Sequence, residues 1–319
     1  MQTSPVDLAL GAIHSTAFHR GLGSSILAAP QHPIRVEDIE AYANIAYSKA
    51  NLVLVASGAN TEELSPQLDE FWKDLPAGQQ LQTPPTKFSG GETRIDHRSS
   101  QNVYAISFPG SALYGSNSSP EHIVLAHLLG GSPRMKWASG HSSFAKIAEG
   151  VNSSLIAANI SYSDAGLFTI LAVGSSSGAS QAASQGVKLL RDIGKGSISI
   201  KPEEVKRAIA SARYATYATS EARLSSLEPI GQAILDTGKV ANLDEVVSGF
   251  DKITPEKLKQ VHLIFGVTID DRLPPRWCNQ LRLLQLLDKL ICCHFMMSFR
   301  RRRSWEFVDS TCSKTYEIL

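Results

Sequence analysis

The chain has 319 residues, 43% of them hydrophobic and 19% charged, with a formal net charge of +1. That length accommodates two domains of ordinary size, and the balance excludes a dominant pull toward nucleic acid or an anionic membrane surface. All four cysteines (Cys278, Cys292, Cys293 and Cys312) lie near the C-terminal end, so residues 1–261 offer neither a disulfide nor a cysteine-ligated metal.

Along the chain, Leu8, Leu10, Ile13, Ala17 and Phe18 recur at helical spacing and predict a helix over 6–18. A turn-rich break follows, with Gly21-Leu-Gly23 and Pro30 to Pro33. Val36, Ile39, Tyr42, Ala43 and Ala46 fall on one face of a second helix over 36–47. The apolar run Asn51 to Gly58 reads as a strand buried on both faces. Asn60, with Glu63 three positions on, predicts a reciprocally capped helix whose inner face is Leu64, Leu68, Phe71 and Leu75. Residues 76–91, rich in Pro, Gly and Gln, have the composition of a linker.

The second block opens on two expected strands, at about 92–98 and 101–109, and continues with helices at Pro120 to Leu129 and Phe144 to Glu149. Ile156, Ala158, Ile160 and Tyr162 alternate along the first arm of a hairpin. Ser163-Asp-Ala-Gly166 turns it and Leu167 to Val173 returns. Val187, Leu190 and Ile193 mark a further helix, and Pro202 stands at the start of the next. Helices over 220–236 and 243–251 follow, and Thr254-Pro255-Glu256 opens a last one. This order predicts an α+β layer, an antiparallel-rich sheet backed by helices.

Both blocks close with the same kind of helix, beginning at Val36-Glu-Asp-Ile and at Ile253-Thr-Pro-Glu. In the first block a Val-rich run follows. In the second the sequence turns instead to His262-Leu-Ile-Phe-Gly and then Asp270-Asp-Arg-Leu-Pro-Pro. Repeat logic therefore predicts that residues 92–261 form a domain lacking its last strand, with 262–319 an aberrant or disordered tail. It also predicts that 1–75 is the C-terminal remnant of a first domain, about 120 residues short of a full copy.

Three strings carry a family resemblance: Ser89-Gly-Gly-Glu-Thr-Arg94, Leu128-Leu-Gly-Gly-Ser-Pro-Arg-Met-Lys136 and Ser161-Tyr-Ser-Asp-Ala-Gly-Leu-Phe168. With the order of elements around them they resemble the pitrilysin-type metallopeptidase superfamily. Within it they are most similar to the core-protein branch, scaffold subunits of mitochondrial ubiquinol–cytochrome c reductase (respiratory complex III). The resemblance spans residues 5–261. It implies two homologous peptidase-like domains and a non-catalytic role on the matrix side of the mitochondrial inner membrane. The implied partners are homologous core subunit 1 and other complex III subunits.

Active members of the superfamily hold zinc through an inverted His-x-x-Glu-His motif, in which two imidazoles and a carboxylate serve a metal-bound water. This chain has no such string. The expectation is accordingly of no catalytic, metal-binding or cofactor-binding residues and no cofactor. Another metallopeptidase-family member is one alternative the resemblance leaves; the other is an α-type processing peptidase subunit, which binds presequences and works beside a β-type partner. Such subunits carry a long glycine-rich loop where this chain has only Gly130-Gly131 before Ser132-Pro133-Arg134, which favours the core-protein reading.

Other candidates read more simply as structure. His122 and His127, with Glu121 beside them, are five apart, as are His14 and His19, whereas one helical face wants three or four. Asp164 before Ala-Gly is foremost a turn former. Gly21-Leu-Gly23 lacks the strand and the Lys-Ser/Thr of a phosphate loop. The segment 262–319 has nine Lys/Arg against six Asp/Glu, including Arg300 to Arg303, and its Cys278 and Cys292-Cys293-His294 match no usual zinc spacing. No stretch reaches the ~20 apolar residues of a spanning helix, and the N-terminal residues have neither signal-peptide nor transit-peptide character.

Overall fold

The computed structural model describes residues 4–261, apart from 27–32, 82–83, 98, 114–117, 131–140, 222–225 and 241. The expected tail and the Gly130–Lys136 loop beyond Gly130 lie outside the described residues. The described residues belong to one compact unit, Met1–Ile269.

Helices form where local signals start them. Ser4 caps α1 (Pro5–Phe18), its hydroxyl accepting from the Val6 amide at 3.3 Å, with Pro5 in the first turn. Helix α2 is Val36–Ala46 and α3 is Thr61–Lys73. At α3 the Asn60 side chain accepts from Glu62 N–H at 3.1 Å. Glu63 meets the Asn60 side-chain amide rather than its backbone N–H, so the expected reciprocal cap closes through side chains.

Three antiparallel strands, β1 (Asn102–Pro109), β2 (Ser154–Ser161) and β3 (Gly166–Gly174), make one sheet in the order β1-β3-β2. Around it stand α4 (Pro120–Leu129), α5 (Ser143–Gly150), α6 (Ser176–Gly194), α7 (Pro202–Glu221), α8 (Leu227–Thr237) and α9 (Leu243–Asp251). Residues 255–261 are helical as well, with the Thr254 hydroxyl accepting from Lys257 N–H. Helix α6 lies against the sheet along Ala179, Ala182, Ala183 and Gly186, small residues that permit close approach. A methyl added at Gly186 would stand 3.3 Å from Leu155. Phe144, Leu125, Leu129, Leu155, Phe168 and Ile170 fill the interior beneath.

Several expectations need correction. Residues 51–58 form no strand: Leu52, Val53 and Val55 are half-buried, Leu54 is exposed, and no ladder partner exists among the described residues. A run of Leu and Val gains strand structure only from neighbours to pair with, and the described sheet lies entirely in the second block. The strand expected at 92–98 is likewise absent among the described residues. Its one apolar side chain, Ile95, is exposed, so pairing would bury nothing. In β2, whose inner face the sequence left open, Leu155 and Ala157 are buried with Ile170 and Ala172 of β3, while Ile156 and Ile160 are half-buried and Ala158 is exposed. The expected 220–236 helix divides: α7 reaches Glu221 and α8 begins at Leu227, ended by left-handed Gly238.

Residues 76–91 contain no helix or strand among those described, yet they are fastened at several points. Lys49 N–H donates to Pro76 O (2.9 Å), and Leu81 N–H to the Asn51 side chain (2.9 Å). Thr86 donates twice to the Asp164 carboxylate, from its amide at 2.7 Å and its hydroxyl at 3.0 Å. Ser89 N–H reaches Ala17 O (2.7 Å), and Phe88 packs edge-on against Phe18. Asp164 is thus a clamp as well as a turn residue. Replacing it with Ala is expected to cost about 1–2 kcal/mol and to raise hydrogen exchange at the Thr86 amide. Unchanged exchange there would show that the clamp holds nothing.

Candidate interaction surface

Of the histidines singled out in the sequence, His14, His122 and His127 serve as fasteners inside the fold. His14 donates from Nδ1 to Leu10 O at 2.6 Å, and Nε2 then accepts from the Tyr162 hydroxyl at 2.6 Å. This bond latches α1 to the hairpin, and burial pushes the Tyr162 phenol up, keeping it a donor. His19 ends α1 with a positive φ of 57°. His127 meets the Ser211 hydroxyl at 3.1 Å and joins α4 to α7.

His122 belongs to a buried polar cluster. Ser119 Oγ donates to Glu121 at 2.7 Å, which leaves it to accept from His122 Nδ1–H at 3.1 Å. The Ser119 amide donates in turn to Ser111 Oγ at 2.7 Å. Ser111 N–H donates to Asn159 Oδ1, and the Asn159 amide returns a bond to Ser111 O. Ser119, Asn159 and Ser111 were missed in the sequence. A Ser at the helix cap with His at the third helical position was a legible signal for the first of them.

Burial lowers the His122 pKa from its ordinary value of 6.5, opposed by the Glu121 charge and a Ser119 backbone bond. In the window below 6.5 the unfolded chain binds the proton that the folded chain resists, so stability rises with pH there. His122 thus contributes stability that is fully present above pH 6.5 and lost as pH falls through the lowered value. Melting temperatures measured between pH 7 and 5 are expected to fall less steeply for His122→Gln than for the parent. Equal slopes would remove His122 from this role.

Among the described residues no three His, Cys, Asp or Glu side chains converge as a metal site would require. His122 and His127, engaged with Ser119 and Ser211, do not share a ligand position. Among the described residues no helix is long and apolar enough to cross a membrane.

What the structure does offer is surface. The stripe predicted to make α2 amphipathic faces outward: Val36, Ile39 and Tyr42 are 66%, 58% and 68% exposed. Beside it Tyr47, Leu52, Leu54, Phe71 and Trp72 line an open apolar groove of about 430 Å³. Phe71, expected on the inner face of α3, is 55% exposed. Neither α2 nor α3 packs closely on the sheet or its helices, although Val55 reaches α8 beside Gly231. Residues 33–75 also carry eight Asp/Glu against three Lys/Arg, so the segment that bears this face is acidic. Contiguous apolar exposure of this kind marks an interaction surface.

Comparisons with known proteins place this architecture. The family model described as the peptidase M16 inactive domain matches residues 33–212. Cytochrome b-c1 complex subunit 2 of Neurospora crassa is 35% identical over 259 residues, covering 79% of this chain and 56% of that protein. The Schizosaccharomyces pombe subunit 2 is 30% identical over 262 residues, covering 80% and 58%. A probable mitochondrial-processing peptidase subunit alpha-1 of Arabidopsis thaliana is 26% identical over 267 residues, covering 79% and 51%. The chain spans little more than half the length of the curated relatives it matches. Among solved structures, a chain of complex III2 from Candida albicans with Inz-5 bound superposes with a TM-score of 0.69 at 21% identity. That likeness covers 81% of this chain and 63% of the other, and it establishes the fold. By sequence and by fold, the chain belongs to the M16 peptidase family through its inactive domain.

Proposed function

We propose that this chain acts as a non-catalytic core subunit of mitochondrial respiratory complex III, on the matrix side of the inner membrane. The observation that carries this reading is the 35% identity to a fungal subunit 2 over 79% of the chain, against 26% for the processing-peptidase relative. Its partners are then a homologous core subunit and other subunits of that complex, and it supplies surface rather than catalytic, metal-binding or cofactor-binding residues. On this reading 4–75 and 92–261 belong to two successive peptidase-like domains joined through 76–91.

The competing assignment, a processing-peptidase α-type subunit working with a β-type partner, makes opposite demands. The tagged full chain, recovered from mitochondria, is expected to bring with it a complex showing b- and c-type heme absorbance. Recovery without heme, together with zinc-dependent presequence cleavage in the presence of a β-type subunit, would overturn the scaffold reading.

A further inference from the structure

We propose that the groove between α7 and residues 251–255 is a docking site for an acidic, apolar polypeptide segment of a partner protein. The groove lies wholly within the second block, and the inference does not depend on the complex III reading.

The groove measures about 430 Å³ and is open along its length. Val205 and Ile253 are buried within it, Ile209 and Pro255 are half-buried, and Ala210 is exposed. Pro202 and Pro255 stand in its walls with φ locked by their rings, so the shape is set before anything docks. Its charge is one-sided. Lys206 and Arg213 line it against the single carboxylate of Asp251. Arg213 donates from Nη2 to Asp251, but its Nε–H is buried and has no acceptor among the described residues. A cationic donor left so is costly, and a carboxylate laid in the groove satisfies it. Lys206 is exposed and makes no ion pair among the described residues. Charge complementarity therefore selects an acidic occupant.

The openness of the groove decides the size of that occupant. Small-ligand sites enclose most of the molecule they hold, and a small molecule here would stay largely in water. A polypeptide lays aliphatic side chains on Ile209 and Ala210 and continues past the groove. Helix α7 supplies the continuation. Ala210, Tyr214 and Tyr217 follow at spacings of four and three and so share one helix face. Tyr214 and Tyr217 are 66% and 39% exposed. Tyrosine and arginine together are the residue types enriched where proteins meet.

The test titrates the full chain with a fluorescein-labelled amphipathic peptide of about sixteen residues built from Leu, Ala and Glu, and with its counterpart carrying Lys at every Glu. Expected are saturable binding of the acidic peptide alone, weakening with salt, and carbodiimide coupling of a peptide Glu to Lys206, located by mass spectrometry. Lys206→Glu, at an exposed position, is expected to weaken binding at least about tenfold. Arg213→Lys keeps a positive charge beside Asp251 without the Nε donor and is expected to weaken it about threefold or more. Phe71→Ala, in the other apolar groove, is the control that leaves binding unchanged. No binding, equal binding of the two peptides, or binding indifferent to Lys206 and Arg213 overturns the proposal. So does loss of binding in Phe71→Ala. Displacement of the peptide by dodecanoate at lower concentration than unlabelled peptide would assign the groove to an amphipathic lipid instead. Self-association of the chain that Lys206→Glu abolishes would assign it to a second copy, and either result overturns the proposal.

Discussion

Gly166→Ala is expected to lower stability by about 3 kcal/mol, a loss that reads as roughly 10 °C in melting temperature. A Cβ at this position would lie 2.1 Å from the Ser111 carbonyl oxygen and 2.6 Å from its carbon. These are backbone atoms, so no rotamer change relieves the clash. Ser111 is moreover held from several sides. Gly110 N–H donates to Gly166 O at 2.8 Å, Leu113 N–H donates to Tyr162 O at 2.8 Å, and Asn159 brackets the Ser111 peptide. Relief therefore requires the end of the β1–β3 ladder to open. Gly11→Ala is the matched control: nothing lies within 4 Å, the site is inside α1, and a gain of about 0.5–1 kcal/mol is expected. Thermal melts followed by circular dichroism decide the matter. A Gly166→Ala protein melting with its parent would mean that the crossing is loose.

Phe168→Ala is the second large effect, at about 3–5 kcal/mol. Phe168 is fully buried on the central strand, opposite Phe108 and Asn159, with its ring 6.4 Å from that of His122. Truncation removes contacts on both sides of β3 and leaves a cavity next to the polar cluster. The variant carries a second signature, because water entering that cavity reduces the desolvation of His122. Its stability is then expected to depend less on pH below 6.5 than the parent's, even as its urea midpoint falls. Phe71→Ala, by contrast, alters an exposed ring and is expected to change stability by at most about 0.5 kcal/mol. If the two phenylalanines cost the same, the core has been placed wrongly.

The helices were legible because their evidence is local. Ser4, Asn60, Ser142, Ser175 and Asn242 each accept a bond from the first turn of the helix they precede. The hairpin was legible for the same reason, since Ser163-Asp-Ala-Gly166 marks its turn within four residues. The run 51–58 was misread because strand propensity is local while pairing is not. The sequence left the inner face of β2 open because both faces are apolar, Leu155 and Ala157 on one and Ile156 and Ile160 on the other, and packing against α4, α5 and α6 decides between them. Of the candidate surface, the α2 stripe was visible as a pattern, but nothing in a hydrophobic period says whether the face is covered. The polar cluster links Ser111 to Asn159, 48 positions apart, a juxtaposition no spacing rule anticipates.

The latch between His14 and Tyr162 joins residues separated by 148 positions. Contacts of such sequence separation form late, because the intervening chain must first be ordered. During synthesis α1 emerges long before the hairpin that receives it. At typical ribosomal rates of ~5–20 residues per second, Phe18 waits on the order of ten seconds before Leu167 exists to cover it. Over that interval the buried end of α1, Ala17 and Phe18, lacks the hairpin that covers it in the finished fold. A residue that looks like a small fastener in the finished fold thereby closes one of the latest-forming contacts of α1.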